Sequence, residues 1–235
     1  MRSLIIVGVW LFAAQAFSQT YYPSGPQTDV ALSTVTGGGW SICAQTLYST
    51  TLTEYPAACP QAGSVDKVML ACRATGSATI KLLAAAPASD VLTETGTGAT
   101  NTHNANGSEW YYEPPVESQA MGFAKGGDNV TLTSCDVNTT GTNTQRLCFH
   151  LEPDVDIGGG YRCGADTSLN TSGAVERLFL MSDADGDLVA DSLDYYPQDA
   201  SRSVRPIVPV PTLPIFGLLA LAGLLGLFGL RKLRQ

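Results

Sequence analysis

Short apolar runs separated by turn-forming residues fill the middle of this chain, between Trp40 and Leu180. Typical runs read KVMLACRA, SEWYYEP, QRLCFHLE and VERLFLM, and at roughly 5 to 10 residues they are too short for ordinary helices but suit strands. The gaps are rich in Gly, Asn, Thr and Pro. Only the runs 66–74 and 78–86 are also compatible with helices. The pattern predicts a mainly β domain over 40–180, built as an antiparallel sandwich or small barrel.

Six cysteines lie within this central part, and none lies in either apolar end of the chain. If the chain is exported, their even number predicts three disulfides, with the pairing left open. No C-x-x-C pair or Cys/His cluster suggests a metal site instead. We therefore expect disulfides that brace the long polar loops, formed by Cys43, Cys59, Cys72, Cys135, Cys148 and Cys163.

The first 18 residues have the pattern of a cleaved signal peptide. Arg2 precedes an apolar run at 4–14, and small residues at 16–18 fit the positions before a signal-peptidase cut. The apolar run is too short to span a bilayer comfortably. We expect the mature chain to begin near Gln19 with a polar, irregular segment over 19–39.

The exported part is strongly acidic. Four of the 13 basic residues lie in the two end segments, so nine basic and all 21 acidic residues leave the centre with a formal charge of −12. Such a surface repels nucleic acid and attracts cations. Nucleic acid is therefore excluded as a partner.

Catalytic motifs are absent from the sequence. The two histidines, His103 and His150, belong to no H-E-x-x-H pattern, and no G-x-S-x-G or phosphate-binding loop is present. The prediction is a protein that is not an enzyme and has no catalytic residues.

A carbohydrate-binding or carbohydrate-active domain is the alternative. Trp110 and Tyr112 share one face of a predicted strand, with Tyr111 on the other, and could stack on sugars. Glu113 and Glu117 flank a Pro-Pro turn and could form a carboxylate pair. Core packing for the aromatic residues and solvated turn positions for the glutamates are the simpler interpretations.

An aspartate-rich segment at 181–200 carries the clearest chemistry. Its aspartates fall at positions 1, 3, 5, 9 and 12 of a twelve-residue loop, the spacing that supplies hard oxygen ligands to Ca²⁺. The carbonyl of Val189 falls at position 7. The loop aspartates are Asp183, Asp185, Asp187, Asp191 and Asp194.

This segment resembles the bacterial thrombospondin type 3 repeat. Gly186, Pro197 and Asp199 also match that pattern in order. The resemblance implies a calcium loop and a further ligand role for Asp199. Leu188 stands where the family has a turn glycine, and only one copy is present.

A proline-rich stalk and an apolar tail close the chain. Pro206 and Pro209 predict an extended spacer over 201–209. Residues 213–230 carry no charge and reach ~27 Å as a helix, enough to cross a hydrocarbon core. Basic residues follow at 231, 232 and 234, which predicts a transmembrane helix with a cytoplasmic basic end.

The stretch VPTLPIFG at 210–217 resembles the IPTL-CTERM sorting signal. The matches are Pro211, Thr212, Leu213 and Gly217, with Val210 in place of Ile and a basic end formed by Arg231, Lys232 and Arg234. The resemblance implies an exosortase-type processing enzyme as partner and a Gram-negative bacterium as host.

Together these features predict an exported, non-enzymatic envelope protein. It would be anchored in the membrane or displayed at the cell surface after sorting. A surface glycan or an extracellular matrix is the expected kind of contact for its ectodomain.

Overall fold

The computed structural model describes residues 21–50, 52, 54–61, 63–96, 100–113, 120–131, 136–137, 143–150, 161–183, 185–191 and 193–204. These residues form twelve strands and two short helices: β1 Gln27–Ala31, α1 Leu32–Thr36, β2 Trp40–Leu47, β3 Lys67–Ala74, β4 Thr79–Pro87, α2 Ala88–Val91, β5 His103–Ala105, β6 Ser108–Tyr112, β7 Ala120–Lys125, β8 Val130–Thr131, β9 Asp136–Val137, β10 Leu147–His150, β11 Arg162–Cys163 and β12 Val175–Ser182.

Two five-stranded antiparallel sheets make up the domain. The first has the order β1-β4-β3-β12-β2 and the second the order β11-β10-β7-β6-β5, and β8 and β9 form a separate pair. In the first sheet the last strand, β12, lies between β3 and β2, with Leu178 opposite Ala71 and Gln45. The predicted mainly β, antiparallel architecture is confirmed.

The first sheet is apolar on both faces. Along β12, Phe179 and Met181 join the core shared with the second sheet, whereas Leu178 and Leu180 join a separate apolar cluster on the outer face. A strand buried on both faces has a continuous apolar run rather than strict alternation. The runs 66–74 and 78–86 form β3 and β4 for the same reason, and neither is a helix.

The two sheets meet across the shared core. Phe149 of β10 packs edge-on against Phe179 of β12, with ring centroids 5.7 Å apart. A buried disulfide joins Cys72 of β3 to Cys163 of β11, which links the two sheets covalently. This face-to-face stacking corresponds to the sandwich alternative of the prediction.

The segment expected to be irregular, 19–39, has regular structure in its described part. It contains β1, which pairs with β4, and α1, whose Val35 is fully buried in the outer cluster. The segment covers the outer face of the first sheet. Strand β1 carries too many polar residues for its sequence to predict a strand.

Disulfides are present as predicted. Cys43 is bonded to Cys59, and Cys72 to Cys163. Cys148 is disulfide-bonded as well, while Cys135 lies outside the described residues.

The predicted signal peptide, most of the stalk and the sorting signal lie outside the described residues. Within the part of the chain that the structure describes, no helix has the length and apolar character needed to cross a membrane.

Candidate metal centre

The aspartate loop starts where β12 ends. Asp183 directly follows Ser182, whose partner in the sheet is Trp40 of β2. Asp183 is only 2% exposed, and its amide donates to the carbonyl of Gly39, 3.0 Å away. Strand β12 therefore fixes the position of Asp183, the first predicted ligand.

Three carboxylates converge in this loop. Asp183, Asp185 and Asp187 each offer one oxygen, and these oxygens lie within 4.8 Å of one another. Backbone amides orient them: Leu188 donates to Asp183 Oδ2 at 3.0 Å, and Val189 donates to Asp187 Oδ1 at 2.7 Å. The group can hold a metal ion.

Two buried carboxylate oxygens in the loop lack a hydrogen-bond partner. They are Oδ2 of Asp185 and Oδ2 of Asp194, and Asp194 is only 9% exposed. Burial, together with the charges of Asp187 and Asp194, raises the pKa of Asp185 although the amides of Asp187 and Asp199 donate to it. Buried acceptors without donors are costly, and a bound cation would satisfy them.

The remaining predicted ligands lie outside the three-carboxylate cluster. Asp191 is tied to the end of β12, because its amide donates to Ser182 O at 3.2 Å. The carboxylate of Asp199 accepts hydrogen bonds from the Ser201 hydroxyl and amide, which lower its pKa. A ligand role for Asp191, Asp199 and the Val189 carbonyl stays a prediction.

The loop packs against the β domain. Ala190, in its middle, is 1% exposed and belongs to the shared core. Asp194 turns back onto it, with its amide 3.0 Å from the Ala190 carbonyl. The packing of Ala190 in the core therefore positions the loop, although most of the other loop side chains are charged or exposed.

Leu188 adopts a left-handed backbone conformation that favours glycine. Its φ is +71°, and its side chain is 66% exposed, so the strained conformation gains no burial in return. Such a residue costs on the order of 1 kcal/mol relative to glycine.

We expect Leu188→Gly to bind Ca²⁺ about fivefold more tightly than the parent chain, because relieving ~1 kcal/mol of strain favours the closed loop. Titration calorimetry measures this. Leu193→Gly is the matched control, since Leu193 is also an exposed leucine of the same loop. Equal affinity for parent and Leu188→Gly would show that the strain does not act on binding.

Two of the three aromatic residues of the carbohydrate alternative, Trp110 and Tyr111, are buried. Trp110 is 1% exposed, donates from Nε1 to the Ala105 carbonyl at 3.1 Å and packs on Phe123. The Tyr111 hydroxyl donates to the Leu147 carbonyl at 3.0 Å and is buried. Trp110 offers no surface to a sugar in this structure, so the core-packing interpretation of it is correct.

Only one glutamate of that alternative, Glu113, lies within the described residues. Glu113 is buried, and burial raises its pKa, while Glu117 lies outside the described residues. Tyr112 is half-buried. The predicted carboxylate pair therefore lies partly outside the described residues and stays a prediction.

A polar cluster missed by the sequence reasoning lies on the β5–β6 hairpin. Glu109 accepts hydrogen bonds from Thr102, Asn104 and the Gly127 amide at 2.9, 2.6 and 2.8 Å. Burial alone would raise the pKa of Glu109, but these donors hold it below its usual value. The Asn-Gly turn at 106–107 is the sequence signal that could have predicted this polar cluster, because such a turn places Asn104 opposite Glu109.

His103 has an acidic partner that the sequence reasoning also missed. Its Nε2 lies 2.6 Å from Oδ1 of Asp90 on α2. The two residues are distant in sequence, and the sequence pattern gives no sign of the contact. The pair links α2 to the hairpin.

No protein-family model, curated protein or solved structure matches this chain. The fold and the site define its class: a two-sheet antiparallel β domain, braced by disulfides, whose last strand leads into an acidic loop able to hold a metal ion.

Proposed function

We propose that this chain is an exported, non-enzymatic envelope protein whose β domain ends in a calcium-binding loop. One observation supports the calcium site most strongly: two buried carboxylate oxygens, Oδ2 of Asp185 and Oδ2 of Asp194, lack hydrogen-bond donors. Asp185 also belongs to the group of three converging carboxylates. A cation would relieve both the unsatisfied acceptors and the mutual repulsion.

Calcium is the cation that suits the donor set best. The cluster consists of carboxylates and includes neither His nor Cys, which favours a hard ion over zinc or copper. Loop spacing that supplies several carboxylates and a carbonyl is typical of Ca²⁺ rather than of Mg²⁺, which keeps most of its water. A millimolar extracellular supply would fill such a site.

Display at the envelope is inferred from the sequence at the two ends of the chain. A signal peptide, a proline-rich stalk and a tail resembling the IPTL-CTERM signal form a consistent export and sorting set. The disulfides add to this inference, because such bonds persist in oxidising compartments. The β domain would act by being presented outside the cell.

Mass spectrometry of the protein purified from its native cells tests the sorting proposal. We expect the mature protein to begin near Gln19 and to lack the segment from about Thr212 onward. As a control, the same cells without the processing enzyme should retain the tail. An intact tail in both strains would contradict sorting and leave the tail as a membrane anchor.

A further inference from the structure

The turn before β2 lies between the amino-terminal segment and the aspartate loop. Residues 37–39 are three consecutive glycines. The Gly38 carbonyl accepts the Tyr21 amide at 2.8 Å, and the neighbouring Gly39 carbonyl accepts the Asp183 amide at 3.0 Å. Tyr21 and the first aspartate of the loop are thus held by adjacent peptide groups.

Hydrogen bonds fix the position of this glycine turn, since it has no side chains that could pack. The amides of Gly37 and Gly38 bond to α1 through the carbonyls of Ser33 and Val35, at 2.9 and 3.0 Å. A Cβ on Gly38 would collide with Tyr21, so the turn and the amino-terminal segment are in direct contact. We therefore expect a change in one hydrogen bond of the glycine turn to affect its other hydrogen bonds.

Residues 21–26, here called the strap, lie over the outer apolar cluster. Tyr21 and Tyr22 pack against that cluster, and Trp40 Nε1 donates to the Tyr21 carbonyl at 2.5 Å. The far end of the strap is tied elsewhere, because the Gly25 amide donates to the Asn106 carbonyl at 2.7 Å. Only the Tyr21 end depends on the glycine turn.

We propose that cation binding in the aspartate loop clamps the Tyr21 end of the strap over the outer apolar cluster. The inference rests on the proposed calcium site. Asp183 has two roles: its carboxylate belongs to the cluster, and its amide holds Gly39. Repulsion among the three converging carboxylates would open the loop when no cation is present, and the unpartnered oxygen of the nine-tenths buried Asp194 would add to it.

Loss of the cation would then loosen Asp183, the glycine turn and Tyr21 in that order. The Gly25 end would stay bound through Asn106. Opening at Tyr21 would expose part of the outer cluster near Trp40 and Leu180. The device would make the strap responsive to cation concentration.

Residue-resolved amide hydrogen exchange on the full chain in detergent micelles tests the clamp. Without Ca²⁺, in EDTA, we expect the Tyr21 amide to exchange about fivefold or more faster than with Ca²⁺, as for the loss of one net hydrogen bond. The amides of Gly25 and of Leu70 in β3 should keep their rates. Asp185→Asn/Asp187→Asn should make the Tyr21 rate the same with and without Ca²⁺, because it removes both the ligands of the ion and the repulsion between them.

Asp166→Asn is the control variant, because Asp166 pairs with Lys81 on the surface and should leave the calcium response intact. Calorimetry on the same samples separates the two proposals. Calcium binding with an unchanged Tyr21 rate would overturn the clamp and leave the site standing, whereas no calcium binding would remove both. Equal acceleration at Tyr21, Gly25 and Leu70 would indicate global loosening and would also overturn the clamp.

Discussion

Replacing both Cys72 and Cys163 with alanine is expected to lower the free energy of unfolding by about 4–5 kcal/mol. The bond joins the two sheets across a sequence separation of 91 and is fully buried. In the chain-entropy account, closing so long a loop restricts the unfolded chain strongly. Since typical domains have only ~5–15 kcal/mol of stability, this change would remove a large fraction of it.

Cys43→Ala/Cys59→Ala provides the matched comparison. That disulfide closes a separation of only 16, so its loss should cost about 3 kcal/mol. Urea unfolding of both double variants without reductant measures the difference. An equal or larger cost for the Cys43–Cys59 pair would contradict the expected dominance of the bond between the sheets.

The strands of the core could be predicted because their apolar runs are continuous, short and bounded by turns. The run 175–181 has the length and flanks of a strand, and it lies in β12 as expected. The alanine-rich end of the run 78–86 has helical propensity, but burial on both faces of β4 overrides it. A continuous apolar run therefore indicates burial reliably when the strand lies in the centre of a sheet.

The edges of the sheets could not be predicted from the sequence. β1 contains Gln27, Thr28 and Asp29, and Asp29 adopts a positive φ of 54°. β11 is only two residues long. Such strands form because a neighbouring strand supplies their hydrogen bonds. The residues of that neighbouring strand lie elsewhere in the sequence, so a local pattern cannot predict the pairing.

The site was predictable in outline and not in detail. Spacing alone identified Asp183, Asp185 and Asp187 as neighbours, because a tight turn brings alternate residues to one side. The contact between Asp183 and Gly39 depends on sheet topology, which pairs the ends of β12 and β2. Likewise, alternation along β6 did not reveal that both of its faces are covered, so that Trp110 and Tyr111 are both buried.

Removing two carboxylates from the loop should abolish calcium binding. Asp185→Asn/Asp187→Asn keeps the side-chain shapes but removes two of the three converging charges. A reduction in affinity of about 100-fold is expected from the loss of two charged ligands. Asp166→Asn, which removes one surface charge outside the loop, should bind as the parent does.

Calcium titration calorimetry on the full chain in detergent, with these two variants beside it, tests the central claim most directly. For the parent and for Asp166→Asn we predict saturable binding of one ion with a dissociation constant on the order of 0.1–1 mM, typical of extracellular modules. For Asp185→Asn/Asp187→Asn we predict no measurable heat of binding. The same titration curve for all three proteins, or no binding by the parent, would contradict the calcium site.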